Sequence, residues 1–321
     1  MKRTLLLGCE NYNLFFPWLT GKTLTLDVVY KAFGLKTKYY DLRLLRKLRL
    51  LREDEVTRRI VRRVLRPYDR IIIWSYQVAE ALEYPGFLEA SKGKLLVYFW
   101  DTLERHYPPE KTAEYLRLAP GYSFQQTDCD AYGLRFASQF YIRPPEGFLP
   151  VCERKWDVCF IGYIHIYPDG TPDRLEVITG AARAFAQAGL SVNFNAPNGA
   201  PYFTAADKEN GITASGLPVP YFEYLKTMVA PSRSIFDCYR TGQTGFSLRI
   251  MEHMFFSKKL ITTNPLVRTA EFYNPANIFL YGEDDISTLK AWLEIPFEPV
   301  PEEIKEYYTV ERWLERFDHE A

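Results

Sequence analysis

Short apolar runs alternate with segments of helical periodicity in the first half of the chain. Apolar runs of four to seven residues separated by helical stretches are typical of parallel βαβ units. We expect strands at 4–8, 36–43, 70–76, 94–101, 121–128 and 140–144. Helices are expected at 23–34 and 44–66, the second ending at Pro67. The pattern therefore predicts an α/β domain built on a parallel sheet.

The same alternation begins again after a segment rich in proline and glycine at 144–150. Both residue types interrupt regular structure, so this segment is the predicted linker. Beyond it we expect strands at 156–162, 190–196, 234–239, 258–264 and 277–282, and helices at 173–188, 220–229, 286–293 and 301–318. A length of 321 residues suits two domains of about 150 residues each. Ligands of such domains bind at the carboxyl ends of the strands.

The composition of the chain argues against several classes of protein. Lys and Arg together number 40, as do Asp and Glu, so no overall charge favours nucleic acid as a partner. The five cysteines are scattered without a C-x-x-C pair, which argues against a disulfide framework or a zinc knuckle and suits a reducing cytoplasm. The apolar run near the N-terminus is too short for a signal peptide, and no run reaches the roughly 20 residues of a membrane span. We expect a cytoplasmic protein, soluble or attached to a membrane surface.

One predicted helix, 43–66, is strongly biased in charge. It carries ten Lys and Arg residues against three acidic ones, and its leucines and valines form an apolar stripe. Such a helix could hold the protein at an anionic membrane surface or bind the phosphate of an acceptor. It could equally be an ordinary surface helix with its leucines packed inward. Nothing else in the chain is basic, so nucleic acid is not an expected partner.

The segment 241–264 carries the most specific local pattern. A turn with Thr244 and Gly245 leads into a helix that begins near Ser247, and its free backbone N–H groups suit a phosphate. Arg249 and Glu252 are three residues apart and share one helical face. A guanidinium can pair with a diphosphate and a carboxylate can accept bonds from ribose hydroxyls, so the pair fits a nucleotide-sugar site. The alternative is an amphipathic helix with a solvated Arg/Glu pair.

Together with 272–281 and 306–317, this segment resembles a family of bacterial glycosyltransferases of lipopolysaccharide, capsule and exopolysaccharide biosynthesis. The stretches 123–141, 156–178 and 219–238 also resemble that family, whereas the likeness is looser before about residue 90. The resemblance implies a GT-B architecture of two Rossmann-like domains facing each other across a cleft. Residues 1–150 would form the acceptor domain, residues 151–300 the donor domain, and 301–321 a helix packing back through Trp313 and Phe317.

The same resemblance implies the donor-site residues. They are Gly162, Tyr163, Arg174, Asn193, Tyr221, Asp237, Thr244, Gly245, Ser247, Arg249, Glu252 and Lys258. Several of these residues could instead have a purely structural role. Arg174 could belong to a helix cap and Tyr221 to the core. Asp237 could cap the turn at 241–245, and Lys258 could lie in a solvated turn.

Candidates for a catalytic base lie in the first half. Asp101 is the first choice, followed by Asp128 and Asp130, Glu10 and His106, although each could simply solvate a loop or cap a helix. Many members of the family carry Asn where Asp101 stands, so the resemblance itself assigns no role to Asp101. Thr244 replaces the first Glu of the Glu-x7-Glu pattern of some retaining enzymes. The stereochemistry therefore stays open. The Asp-x-Asp sequence typical of metal-dependent GT-A enzymes is absent, so neither a metal nor another cofactor is expected.

The leading hypothesis is a metal-independent glycosyltransferase. It would move a sugar from a nucleotide-sugar donor to a surface-polysaccharide or lipid-linked glycan acceptor, at the inner face of the cell membrane. An alternative is a non-catalytic scaffold that binds nucleotides or carbohydrates in a biosynthetic complex. A nucleotide-dependent epimerase or dehydrogenase is disfavoured, because only Gly8 follows the first strand where G-x-G-x-x-G would be needed.

Overall fold

A computed structural model describes residues 3–7, 26–29, 53–103, 109–150, 152–166, 170–239 and 242–318. The chain forms two structural units. The first comprises Met1–Ser138 with Trp313–Ala321, and the second comprises Gln139–Arg312. The division falls before the predicted linker at 144–150, and the end of the chain belongs to the first unit.

The first unit contains a parallel sheet of six strands in the order β2-β1-β3-β4-β5-β6. The strands are β1 (Thr4–Leu7), β2 (Leu26–Val29), β3 (Arg70–Trp74), β4 (Leu95–Phe99), β5 (Gly121–Ser123) and β6 (Arg135–Phe136). The helices are α1 (Glu53–Leu65), α2 (Ser75–Leu82), α3 (Phe87–Ser91), α4 (Pro109–Leu118) and α5 (Gln126–Tyr132). The aliphatic residues of β1 and β3 are buried along the whole strand, as the continuous apolar runs predict.

Two predictions for the first half of the chain are wrong. Residues 26–29 form a strand paired in parallel with β1, within the helix predicted at 23–34. The consecutive valines at 28–29 favour a strand, and pairing with β1 outweighs the local helical pattern. The strand predicted at 140–144 is also not formed: Tyr141 makes a single bridge to Thr309, and the last strand of the sheet is β6. The strand predicted at 36–43 lies outside the described residues.

Helix α1 is the described part of the arginine-rich segment. Val61 and Leu65 are fully buried in the core of the first unit, whereas the arginines are exposed. Arg62 lies 2.8 Å from Glu89 of α3, and Arg59 lies 2.6 Å from Glu55. The apolar stripe therefore serves folding, and only the charged face is presented to solvent. No helix in the described ranges is long and apolar enough to cross a membrane.

The second unit contains another parallel sheet of six strands, in the order β12-β11-β10-β7-β8-β9. The strands are β7 (Trp156–Ile161), β8 (Val192–Asn195), β9 (Ile212–Thr213), β10 (Ser232–Asp237), β11 (Lys259–Thr262) and β12 (Ile278–Leu280). The helices are α6 (Leu175–Gln187), α7 (Ala205–Glu209), α8 (Tyr221–Tyr224), α9 (Leu248–Phe256), α10 (Leu289–Glu294) and α11 (Glu302–Tyr307), and α8 continues as a π-helical turn over Leu225–Val229. Helix α12 (Val310–Glu315) begins in the second unit and ends in the first, because the division falls before Trp313. The five strands predicted for this half are all confirmed. Strand order reverses between β7 and β10, which is where ligands bind in doubly wound sheets.

A stack of aromatic rings holds the central strands of the second unit in register. Phe160 of β7, Phe194 of β8 and Phe236 of β10 have ring centroids between 5.3 and 5.8 Å apart, and all three are fully buried. Phe185 of α6 packs edge-on against two of them. These contacts set the positions of the strand ends that follow each phenylalanine.

The last residues of the chain pack into the first unit through aromatic side chains. Trp313 is fully buried, with ring centroids 5.1 Å from Tyr98 and 6.2 Å from Trp74. Phe317 lies 4.6 Å from Tyr122, and Asp318 accepts a hydrogen bond from the buried Arg70 at 2.9 Å. Trp313 and Phe317, the two residues expected to anchor the terminal helix, are thus buried in the first unit.

Candidate functional site

Backbone carbonyls at the end of β7 hold two arginines. The carbonyl of Ile161, the last residue of β7, accepts a hydrogen bond from Nη2 of Arg249 on α9. The carbonyl of Tyr163, two residues further along, accepts a bond from Nη2 of Arg174 at 2.7 Å. Between them, the N–H of Gly162 donates to the carbonyl of Asn195 at the end of β8 (3.1 Å). The strand ends thus place two positive charges at the reversal of strand order.

Arg174 bridges the two loops that flank this point. Its Nη1 donates to the carbonyl of Cys238, which directly follows β10, at 3.0 Å, while Nη2 reaches Tyr163 after β7. Its backbone is in the left-handed region, with φ of 61°. Such a conformation costs a non-glycine residue about 1–3 kcal/mol and persists only where surrounding contacts impose it, often at functional sites. Arg174 directly precedes α6, as predicted, but its side chain makes no capping hydrogen bond to that helix and instead joins the two loops.

Asp237 fixes the start of α9. Its carboxylate is buried and accepts hydrogen bonds from Ser247 Oγ at 2.7 Å and from Thr262 Oγ1 at 2.9 Å. Ser247 is the N-cap of α9, and its Oγ accepts a bond from the N–H of Arg249. The first turn of α9 is thereby tied to the carboxyl ends of β10 and β11. Asp237 orients this helix start with both oxygens already engaged by the protein.

The guanidinium of Arg249 lies over the ring of Phe160, 5.3 Å from its centroid. Its Nε is buried and has no hydrogen-bond partner among the described residues. Burial opposes the charge of this group, but the neighbouring Tyr224 and Glu252 favour it, and the net effect raises the pKa of Arg249 above its usual value. A charged donor is thus held in place at the strand ends with hydrogen-bonding capacity left over.

Glu252 is buried beneath a group of tyrosines. Its two carboxylate oxygens accept hydrogen bonds from Tyr221 and Tyr224 of α8, each at 2.8 Å, and the Tyr221 hydroxyl is 2.7 Å from that of Tyr141. Burial raises the pKa of Glu252 to about 7, although Arg249 and the two tyrosine hydroxyls act in the opposite direction. Glu252 is buried and both of its oxygens are bonded to tyrosines, so the structure does not present this carboxylate to ribose hydroxyls as predicted.

Of the other predicted donor residues, some lie near the strand ends of the site and others are buried elsewhere in the second unit. Thr244 and Gly245 lie in the turn before α9, separated by Phe246 from its N-cap Ser247, and Tyr163 is exposed in the loop after β7. Tyr221 is buried in the tyrosine group, so its ring offers no open face for stacking a base. Asn193 lies inside β8, and the residue at the strand end is Asn195, which accepts a bond from the N–H of Ser215.

Lys258 does not lie where it was predicted to lie. Helix α9 runs antiparallel to the strands, so the residues after it return to the amino ends of β10 and β11. There the Lys258 ammonium donates to the carbonyls of Ala230 and Ser232, both at 2.8 Å, and burial lowers its pKa. This is the edge of the sheet opposite Arg174 and Arg249. Lys258 therefore stabilises the sheet edge and is not part of the candidate site.

The predicted catalytic residues belong to the first unit. Asp101 follows β4, is half-buried, and forms no hydrogen bond with the residues the structure describes. Asp128 is buried in α5 and accepts bonds from the N–H of Leu103 at 3.1 Å and from Ser123 Oγ at 3.3 Å, which gives it a structural role. His106 and Glu10 lie outside the described residues.

Three residues of the site were not predicted. Tyr224 was detectable, because it lies three positions after Tyr221 and so shares its helical face. Phe160 was detectable only as one of several alternating apolar residues in a strand. Tyr141 is distant in sequence from α8 and α9, and no local pattern indicates its contact with Tyr221.

Gly162→Ala is expected to destabilise the protein by about 1–3 kcal/mol through overpacking. A Cβ at Gly162 would stand 2.7 Å from Cζ of Phe160, whose ring is confined by Phe194 and Phe236. Urea unfolding measures the change. Gly180→Ala is the matched control: its Cβ meets nothing within 4 Å in α6, so it should leave stability unchanged or raise it by up to about 1 kcal/mol. Equal stabilities of the two variants would contradict the close fit at Gly162.

The chain is similar to known proteins in its structure, whereas the sequence comparisons found no match. No protein-family model and no curated sequence matches the chain. An alpha-glucosyltransferase in complex with UDP and a 13-mer DNA aligns with a TM-score of 0.50 at 15% identity, over 98% of this chain and 93% of that chain. The lipopolysaccharide outer core galactosyltransferase WaaB aligns with a TM-score of 0.47 at 11% identity, over 98% of this chain and 97% of that chain. The first of these likenesses, together with the two parallel sheets, shows a GT-B fold.

Proposed function

We propose that the protein is a glycosyltransferase whose second unit binds a nucleotide-sugar donor. The observation that carries the proposal is the pair of guanidinium groups, Arg174 and Arg249, held by carbonyls at the reversal of strand order between β7 and β10. Guanidinium groups match the oxygens of a diphosphate in both charge and geometry.

The start of α9 adds to the attraction for an anion. Its first-turn N–H groups carry a partial positive charge, and Asp237 and Ser247 hold them beside the same strand ends. The nearby carboxylate of Asp237 is already engaged by two hydroxyls, which reduces its competition with an incoming phosphate. On this proposal, protein cations meet the charge of the diphosphate and no metal is required.

The acceptor side of the proposal rests on the family resemblance and on the first unit. We propose a glycan or lipid-linked acceptor of surface-polysaccharide biosynthesis, with Asp101 as the base for its hydroxyl. Asp101 is favoured over Asp128 because the Asp128 carboxylate is buried and already bonded to Leu103 and Ser123. The exposed arginines of α1 could hold the protein at the anionic cytoplasmic face of a membrane by charge alone, since the apolar side of that helix is buried.

A binding screen tests the donor class. Calorimetry with UDP-, GDP-, ADP-, dTDP- and CMP-sugars, with NAD as control, should give saturable binding for one nucleotide sugar and none for NAD. UDP-sugars come first in the panel because the structural neighbour was solved with UDP. The bound sugar should then be transferred or hydrolysed slowly, and both reactions should be lost in Asp101→Ala. Failure of every nucleotide sugar to bind would contradict the proposal, and binding without any turnover would leave a non-catalytic binding protein.

A further inference from the structure

We infer that Tyr221 and Tyr224 are positioning residues of the donor site, and that they hold Glu252 one helical turn behind Arg249 as a carboxyl group that takes up a proton when a nucleotide sugar binds. The inference rests on the proposed function and adds a proton linkage to it. It begins from the contacts: both oxygens of Glu252 are bonded to tyrosine hydroxyls at 2.8 Å, and only 2% of the residue is exposed.

The second step is the position of Glu252 relative to the proposed phosphate site. Glu252 and Arg249 are three residues apart on α9, so they lie on the same face of the helix. Arg249 is the group whose Nη2 reaches the end of β7 at Ile161. The carboxyl group is therefore close enough to that guanidinium to respond to a negative charge that binds there. It is itself buried away from solvent.

Several titratable groups face Glu252 from the elements around it. Arg249 acts from the same helix and favours the carboxylate, whereas Asp237 at the end of β10 opposes it. Tyr221 and Tyr224 act from α8, with Tyr141 behind Tyr221, and Cys159 acts from β7. Burial raises the pKa of each tyrosine well above its usual value and that of Cys159 to about 12. Glu252 is poised to change its protonation near neutral pH, because burial raises its pKa to about 7.

The sign of the linkage follows from the charges. In the free protein Arg249 stabilises the ionised form of Glu252. A diphosphate bound to Arg249 cancels that stabilisation and brings its own negative charge, so the pKa of Glu252 rises on binding. Binding therefore takes up a proton near neutral pH and grows stronger as pH falls through the pKa of the complex toward that of the free protein.

The test is calorimetry at pH 7 in two buffers of different ionisation enthalpy. The ligand is the nucleoside diphosphate sugar that binds most tightly, because its diphosphate is a diester with no group titrating near neutrality. If the pKa rises by about one unit from about 7, the wild-type protein should take up roughly 0.4 proton per site. Its affinity should fall roughly eightfold between pH 6 and pH 9.

Three variants identify the group and its supports. Glu252→Gln should abolish the proton uptake. Tyr221→Phe and Tyr224→Phe each remove a hydroxyl that stabilises the carboxylate, so the uptake at pH 7 should shrink and its maximum should move to higher pH. Tyr202→Phe is the control, since Tyr202 is a half-buried tyrosine of the same unit outside the group, and it should behave as the wild type.

The outcomes separate the inference from the proposed function. Binding without proton uptake in the wild-type protein would overturn the inference alone, as would uptake that persists in Glu252→Gln. Tyrosine variants that match Tyr202→Phe in their uptake profile would remove Tyr221 and Tyr224 from the role. If no nucleotide sugar binds at all, both the proposed function and the inference fail. The wild-type measurement decides the linkage even if a variant does not fold.

Discussion

Arg249→Ala should weaken the binding of the nucleotide sugar by about ten- to a hundredfold, because a hydrogen bond to a charged group contributes about 1.5–3 kcal/mol. The side chain is held over Phe160 and by the carbonyl of Ile161, and its Nε has no partner among the described residues. A diphosphate oxygen would complete its hydrogen bonding. The loss should appear in the dissociation constant measured by calorimetry.

Two further variants sharpen this prediction. Arg249→Lys keeps the charge but loses the planar fork of donors, so its affinity should lie between those of the wild type and the alanine variant. Arg183→Ala removes an exposed arginine of α6 in the same unit and should leave binding unchanged. Thermal unfolding checks that each protein is folded. Wild-type affinity in a folded Arg249→Ala protein would remove this residue from the donor site.

Trp313→Ala should destabilise the first unit by about 3–5 kcal/mol, the range for truncation of a large buried aromatic side chain. The indole is fully buried and packs against Trp74, Tyr98 and Phe317 with ring centroids between 4.6 and 6.2 Å apart. Removing it leaves a cavity among rigid rings that cannot collapse to fill it. Equilibrium unfolding in urea measures the effect.

The controls for Trp313 use the same end of the chain. Trp313→Phe retains part of the packing and should cost less than the alanine variant, whereas Tyr307→Ala removes a side chain that is 43% exposed and should change stability by at most about 0.5 kcal/mol. A cost below about 1 kcal/mol for Trp313→Ala would show that the C-terminal segment is not integral to the first unit.

Local pattern was sufficient for much of the second unit. Its strands carry continuous apolar runs, and the burial of both faces of a parallel sheet produces such runs directly. Spacing also placed Arg249 and Glu252 on one helical face, and the small polar Ser247 marked the start of α9. These features depend on neighbours within a few residues, so the sequence alone contains them.

Pattern failed where pairing between distant segments decides the structure. Residues 26–29 are a strand because β1 lies beside them. The packing of the chain end, where Trp313 lies on Trp74 and Tyr98, was expected from the family resemblance and not from any local pattern. Helical periodicity reports which face of a segment is apolar but does not identify the segment that covers it.

The composition of the site was decided by tertiary structure for the same reason. The sequence by itself determined five of the six strands of the second unit and placed Arg174 and Arg249 near strand ends, although it missed β9 and α7 and predicted one helix where α11 and α12 form. Only the fold showed that Lys258 lies at the opposite edge of the sheet, that Arg174 joins the loops after β7 and β10, and that Glu252 is enclosed by tyrosines. A parallel sheet gathers the carboxyl ends of strands far apart in the chain, so the partners of each side chain are fixed by strand order and helix direction, which short-range patterns do not encode.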